Sequence, residues 1–286
     1  MTVPPGSGGD LLEAIVASTR RTVEAREARV PLAELERLCV GHVPRGSAFR
    51  SALGTGPHVR VIAECKRRSP SRGVLRAAYD PPRIASAYQA AGAVAVSVLT
   101  EPCFFDGALD HLSAVRRVVT TPVLRKDFIV DRYQLFEAVA HGADAVLLIV
   151  AALEQHQLAA LLGEASGLGL AAVVEVHDAT EVARAVDAGA DIVGVNNRNL
   201  RTLEVSASTS RDLAARLPGH VVAVAESGLK DPSVVAGLAL AGYDAFLIGE
   251  HFMASPDPGA ALADLLGAGR RCLASGSTRA DQGVPP

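Results

Sequence analysis

Four segments of the chain repeat one pattern: AGAVAVSVLT (91–100), HGADAVLLIV (141–150), AGADIVGVNN (188–197) and AGYDAFLIGE (241–250). Each places a glycine just before a run of aliphatic residues. The glycine reads as a helix end, where a left-handed backbone costs it little, and the run reads as a buried strand. Glycines 92, 142, 189 and 242 lie 50, 47 and 53 residues apart. One strand–helix unit needs about half that length, so a second strand must lie in each interval. HVRVIAE (58–64), TPVLRKDF (121–128), GLAAVVEVH (169–177) and GHVVAVAES (219–227) supply the missing strands.

The count reaches eight strands, alternating with helical patterns such as VDRYQLFEAVAHG, LEQHQLAALLGEA and DATEVARAVDAG. Asp131, Asp178 and Asp231 stand where helix N-caps belong. Strands with unbroken apolar centres imply a parallel sheet covered by helices. Eight such units over roughly 250 residues point to an α/β fold, a single (β/α)8 TIM barrel. A doubly wound open sheet would carry a Gly-rich loop after its first strand. The loop here, AECKRRSPSRG (63–73), has no G-x-G-x-x-G. Three regions are expected: a helical extension over 1–57 that packs on the barrel, the barrel over 58–269, and a disordered tail over 270–286, which is poor in apolar residues.

Bulk properties exclude several roles. The net charge is −3, whereas a nucleic-acid binder carries a broad basic field; the basic density here is confined to Lys66, Arg67, Arg68 and Arg72. No apolar run reaches the length of a membrane span. MTVPPGSGGD lacks the basic-then-apolar order of a secretory signal, so none is expected. Cysteines 39, 65, 103 and 272 form no C-x-x-C pair and no disulfide framework, which fits a reducing cytoplasm. Eight histidines without H-x-H or H-E-x-x-H spacing predict no metal site.

In a barrel of this kind the chemistry gathers at the C-terminal ends of the strands. Polar residues fall there: Glu64, Cys65 and Lys66 on the first strand; Arg125, Lys126 and Asp127 on the third; Glu175 and His177 on the fifth; Asn196, Asn197 and Arg198 on the sixth; Glu226, Ser227 and Gly228 on the seventh; Gly249 and Glu250 on the eighth. Charges inside an apolar barrel are expensive unless paired, so one shared polar site is expected. The small residues in AESG and IGEH, opposite Lys66 and Ser69, predict a phosphate cradle after the last two strands.

Glu64, Lys66, Lys126 and Glu175 admit two readings, an acid–base set or a structural salt-bridge network. Phe104, Phe105 and Phe128 are either packing or an apolar slot for a flat ring. Arg198 is either a carboxylate fork or a rim arginine. His177 leaves the same strand face as Glu175 and is assigned to the loop, not to catalysis.

As a set, AECKRRSPSRG, SVLTEPCFFDG, PVLRKDFIVDRYQ, ADAVLLIV, VVEVHD, IVGVNNRNLRT, VAESGL and AFLIGEHFM resemble the indole-3-glycerol phosphate synthase family, in family order over roughly 58–255. The helical segment before the barrel is also similar. The resemblance implies a lyase of tryptophan biosynthesis that needs no cofactor. It would close 1-(2-carboxyphenylamino)-1-deoxyribulose 5-phosphate to indole-3-glycerol phosphate, carbon dioxide and water.

By the same resemblance, Lys126 is the general acid and Glu175 its partner in later proton transfers. Glu64 orients the lysines. Lys66 contacts the anthranilate carboxylate or the phosphate and is also catalytic, its division of the acid role with Lys126 left open. Asn196, also counted catalytic, and Arg198 position the ring and carboxylate. Glu226 and Ser227 line the far wall. Ser69, Ser227, Gly228, Gly249 and Glu250 hold phosphate, and Phe105, Phe128, Leu147 and Leu200 form the slot for the aromatic ring. A lysine of lowered pKa is the expected acid. Arg67, Arg68 and Arg72 are expected on the rim, drawing in the anion.

Two positions depart from the family pattern. Cys65 stands where an aliphatic or aromatic residue is usual, though alternation turns it outward. The chain has no tryptophan for an aromatic contact from the extension. The isomerase one step earlier in the same pathway is a rival barrel, but it resembles a Cys–Asp pair, and the sixth strand here ends in Asn196. The expected partner is a phosphorylated small molecule, not nucleic acid or membrane. The expected state is a monomer, with association with other enzymes of the pathway left open.

Overall fold

The computed structural model describes residues 10–54, 58–206 and 208–280, with the backbone alone for 276–280. Three helices come first: α1 (Leu11–Glu27), α2 (Leu32–Leu38) and α3 (Gly46–Leu53). Asp10 caps α1 by accepting from Leu12 N, and Leu12, Ile15, Thr19 and Val23 form its buried stripe. Next come β1 (Val61–Cys65), the short strands β2 (Arg68–Ser69) and β3 (Gly73–Val74), α4 (Pro81–Ala91), β4 (Ala95–Leu99), α5 (Pro102–Phe105), α6 (Leu109–Arg116) and β5 (Val123–Lys126). The chain continues through α7 (Tyr133–Ala140), β6 (Ala145–Ile149), α8 (Gln155–Gly167), β7 (Ala171–Val176), α9 (Ala179–Asp187) and β8 (Ile192–Asn196). It ends with α10 (Ser208–Ala214), β9 (Val222–Glu226), α11 (Pro232–Leu240), β10 (Ala245–Ile248), α12 (Glu250–Met253) and α13 (Pro258–Ala280).

Strands β1, β4, β5, β6, β7, β8, β9 and β10 form a closed parallel barrel in chain order, sealed where β10 pairs with β1. Alternation divides each strand between two cores. Val61, Ala63 and Cys65 of β1 face the helices, while Ile62 joins Leu124, Leu147, Val173, Val224 and Leu247 inside the barrel. Cys65 is thereby turned away from the mouth, as alternation requires. The repeat glycines 92, 142, 189 and 242 all take positive φ at helix C-termini, between 81° and 107°. Asp178 and Asp231 cap α9 and α11 through Glu181 N and Ser233 N. Asp131 accepts from Tyr133 N at 2.8 Å, one residue before the assigned N-cap of α7.

The extension packs on the barrel through all three of its helices. Leu12 and Ile15 of α1 join the inner core, and Leu35 of α2 packs on Tyr133 and Phe136 of α7. Phe49 and Leu53 of α3 are fully buried in the inner core. A Cβ on Gly46 would meet Ala171 N at 2.4 Å, so only glycine lets α3 sit against the start of β7. The disordered tail expected from residue 270 does not begin there: α13 is helical through Ala280. Its buried leucines, 262, 265, 266 and 273, recur at helical spacing and carry the helix past that point. Residues 281–286 lie outside the described residues.

Candidate active site

The inward positions at the strand ends converge on a cavity of about 610 Å³ at the C-terminal mouth. Glu64, Lys66, Lys126, Glu175, Asn196 and Glu226 project into it from five strands or their ends. Lys126 Nζ lies 2.8 Å from Glu226 Oε2 and 3.3 Å from Glu175 Oε2. Lys66 Nζ lies 2.6 Å from Glu64 Oε1. Asn196 Nδ2 donates to Glu175 Oε1 at 3.0 Å, and its Oδ1 accepts from Arg198 N.

Two glycines make room for the carboxylates. A Cβ on Gly249 would lie 2.4 Å from Glu64 Oε1, and one on Gly194 would lie 2.2 Å from Glu226 Oε1. Gly249, read from sequence as phosphate cradle, is therefore also where Glu64 needs space. Gly194 was invisible to sequence reading, since its reason is a carboxylate on the neighbouring strand.

The electrostatics differ from expectation at Lys126. Burial alone would lower its pKa, but the carboxylates of Glu226, Glu175 and Glu64 outweigh burial and raise it. Lys126 is a firmly charged ammonium, not the lysine of lowered pKa that was expected. The compensating shift appears on its partner. Glu226 is pushed up to about 7, first by burial and then by Glu175 and Glu64, against the pull of Lys126. Its Oε1 is buried without a hydrogen-bond partner. Glu175 goes the other way: burial raises it, but Lys126, His177 and the Asn196 amide together hold it below the ordinary value.

Around this floor lie the other expected residues. Phe105 and Phe128 stand 6.0 Å apart at 35° and line the cavity with Leu147 and Leu200. Leu11 and Ile15 of α1, with Ile149, add aliphatic walls that sequence reading missed. Ser69, Ser227, Gly228, Gly249 and Glu250 line one side. Ser227 and Gly228 both have positive φ, 65° and 72°.

Arg198 reaches the cavity, but its Nη2 already holds Glu250 Oε2 at 3.0 Å, while Arg72 Nε holds Glu250 Oε1 at 3.0 Å. Arg67 lies 2.9 Å from Asp106 and Arg68 3.9 Å. The three rim arginines are thus tethers of the loop after β1 as well as sources of positive field. Asp127 accepts from Phe128 N, Thr100 Oγ1 and buried Arg125, which fixes the turn between Lys126 and Phe128. Among the described residues no group of three or more His, Cys, Asp or Glu side chains is disposed to hold a metal ion.

Comparison with known proteins gives a consistent answer. A family model described as indole-3-glycerol phosphate synthase matches residues 12–265. Indole-3-glycerol phosphate synthase of Kineococcus radiotolerans is 52% identical over 264 residues, which cover 91% of this chain and 96% of that protein. Indole-3-glycerol phosphate synthase 1 of Streptomyces coelicolor is 49% identical over 259 residues, covering 91% and 96%. Among solved structures, 3-hexulose-6-phosphate synthase from Salmonella typhimurium aligns with TM-score 0.59 at 15% identity, over 74% of this chain and 99% of that one. At that identity the likeness speaks for the fold alone.

Proposed function

Because the chain belongs to the indole-3-glycerol phosphate synthase family, we propose that Lys126 and Glu175 are the acid–base pair of its ring closure. The reaction is the decarboxylating, dehydrating closure of 1-(2-carboxyphenylamino)-1-deoxyribulose 5-phosphate to indole-3-glycerol phosphate. One observation carries the assignment of roles: the Lys126 ammonium stands at the cavity floor between two fully buried carboxylates.

The ring carbon bearing the carboxylate must attack the ketone carbon. That attack needs the ketone oxygen to become a hydroxyl as the bond forms. Lys126, charged at neutral pH, offers an N–H to that oxygen. Its raised pKa makes it a poor donor to a ketone but an adequate one to the alkoxide that attack creates. Closure leaves an iminium at the arylamine nitrogen, into which the carboxylate loses carbon dioxide. Dehydration then needs one group to protonate the hydroxyl and another to take a proton from the ring methylene carbon. Glu175, held ionised, suits the second task; Glu226, titrating near 7, can return a proton to Lys126 between steps.

Lys66 and Glu64 hold the chain hydroxyls and the substrate carboxylate, with Asn196 fixing Glu175. Ser69, Ser227, Gly228, Gly249 and the Glu250 backbone cradle the phosphate. Phe105, Phe128, Leu147 and Leu200 sandwich the anthranilate ring, and Arg198 meets its carboxylate after exchanging Glu250 for substrate. The working unit in this reading is a cytoplasmic monomer; the four cysteines, all free, suit that compartment.

The test is indole fluorescence on adding substrate to purified protein. Lys126→Ala is expected to lose roughly 10²–10⁴ in kcat with an unchanged circular dichroism spectrum. Near-normal kcat would put the acid elsewhere. Ser227→Ala is expected to raise KM more than it lowers kcat, and an unchanged KM would remove it from the phosphate cradle.

A further inference from the structure

The reaction consumes a proton at every turnover. The ketone oxygen leaves as water and takes up two protons, and the ring methylene carbon returns one. Carbon dioxide departs from a carboxylate and supplies none. One proton must therefore come from outside to a floor of buried groups while substrate fills the cavity above it.

His177 occupies the position from which such a proton can be delivered. It lies two residues beyond Glu175 and is not among the residues that line the cavity. Its Nε2 is 3.6 Å from Glu175 Oε1, buried, and without a hydrogen-bond partner. Its Nδ1 is 3.1 Å from Glu181 Oε2, the atom that also accepts from the His177 backbone N at 2.7 Å. Glu181 is fixed in turn on the first turn of α9, its own N donating to Asp178. The ring is thus pinned at one nitrogen and aimed at Glu175 with the other. Nothing in the acid–base scheme above uses it.

We propose that His177 stores the proton that each turnover consumes and delivers it to the reaction through Glu175. The proposal rests on the acid–base reading of Glu175. In the transfer the Nε2–H bond of the imidazolium breaks and its electron pair stays on nitrogen. An O–H bond forms on Glu175 Oε1, and Nδ1–H stays donated to Glu181. Glu175 then hands the proton to Lys126 Nζ, left neutral by protonating the former ketone oxygen, and is again ionised for the methylene proton. When product leaves and water refills the cavity, a proton returns by the same route, from water to Glu175, which lines the cavity, and from Glu175 to His177 Nε2. The charged and polar groups around it favour storage. Glu175 faces it from its own strand, Glu181 from α9, and Glu226 acts across the barrel from β9. Asn196 of β8 shares Glu175 Oε1. Arg184 of α9 spends its guanidinium on the carbonyls of Val150 and Leu153. Burial alone would discharge the ring, but the bond to Glu181 and the charges of Glu175 and Glu226 raise its pKa above the ordinary value.

The experiment compares kcat–pH profiles of the wild type, His177→Asn and Glu175→Gln, and tests His177→Gly with and without added imidazole. Wild-type kcat is expected to fall as pH rises through the His177 titration, above about 6.5. His177→Asn should lower kcat about tenfold near pH 7, leave KM within about twofold and lack that alkaline limb. Imidazole should restore part of the His177→Gly activity. If Glu175→Gln is inactive while His177→Asn keeps the wild-type kcat and profile, the proton store is wrong and the role of Glu175 stands. If His177→Asn is slow but its profile is unchanged and imidazole restores nothing, the ring is structural and the proposal fails. If Glu175→Gln is nearly fully active, the acid–base reading fails first and takes the store with it.

Discussion

Glu226 is held at a cost to stability. Formally, three carboxylates and two ammonium groups share the floor, and Glu226 is the carboxylate with an unsatisfied oxygen. Its pKa, about 7 in the fold, stands well above the roughly 4.3 of an unfolded chain. Between those values the native state binds more protons than the unfolded state, so this group's contribution to stability falls as pH rises through that window. Glu226→Gln removes the charge and keeps the shape. It is expected to be more stable than the wild type at pH 8, by about 2 kcal/mol, and equally stable at pH 4, while losing activity. Thermal melts at the two pH values check this; a variant less stable at pH 8 would show that Lys126 needs the second carboxylate.

The side chains of this floor were legible from strand alternation and the family motifs, because each belongs to one strand. The sense of the Lys126 shift was not. It depends on carboxylates from three strands meeting at one nitrogen, and no single segment of sequence carries that sum. His177 was read as loop, and it does follow the end of β7; its pairing was not legible, because its partner Glu181 sits on the next helix.

At the scale of elements, the strands were read correctly because buried parallel strands announce themselves as β-branched runs. The β2–β3 ribbon did not, because its two-residue strands are too short for a period. The end of α13, past residue 269, was missed for a different reason. A screen for apolar content passes over a helix whose buried face needs only about one leucine per turn. The loop holding that ribbon is fastened on both sides of the mouth, by Asp106 to Arg67 and by Glu250 to Arg72. Asp106 takes a left-handed backbone, φ 52°, which asparagine also tolerates. Asp106→Asn therefore removes the charge without straining the turn. Half-exposed pairs contribute about 0.2–1 kcal/mol, so KM should rise about two- to fivefold with kcat within about twofold. Steady-state kinetics in which KM does not move would mean that the loop keeps its place without this tether.

On the scale of the whole molecule, the question is what makes the extension and the barrel one body. Apolar contact does much of it, but a buried chain of charges crosses the joint. Arg26 of α1 meets Glu137 of α7 at 2.6 Å; Glu137 meets Arg125 of β5 at 3.1 Å; Arg125 meets Asp127 at 2.9 Å and also donates to the Gln134 carbonyl and Thr100. Arg125 is fully buried, whereas the Arg26 side chain is 25% exposed. Removing one member of a buried network strands its partners, at about 3–5 kcal/mol. Arg125→Met leaves Asp127 and Glu137 without their shared cation, and is expected to lower Tm by about 10 °C. Arg26→Met leaves Glu137 its bond to Arg125, and water reaches the gap, so it should cost about 1 kcal/mol. The two losses meet at one carboxylate and so should not add. With Arg125 already gone, Arg26 is the last cation on Glu137, and removing it should cost roughly 1–2 kcal/mol more than it does in the wild type. Denaturant unfolding of the two single variants and the double variant measures that difference. Simple additivity would mean that Arg26 and Arg125 act on separate parts of the molecule, and that α1 is held to the barrel by its apolar stripe alone.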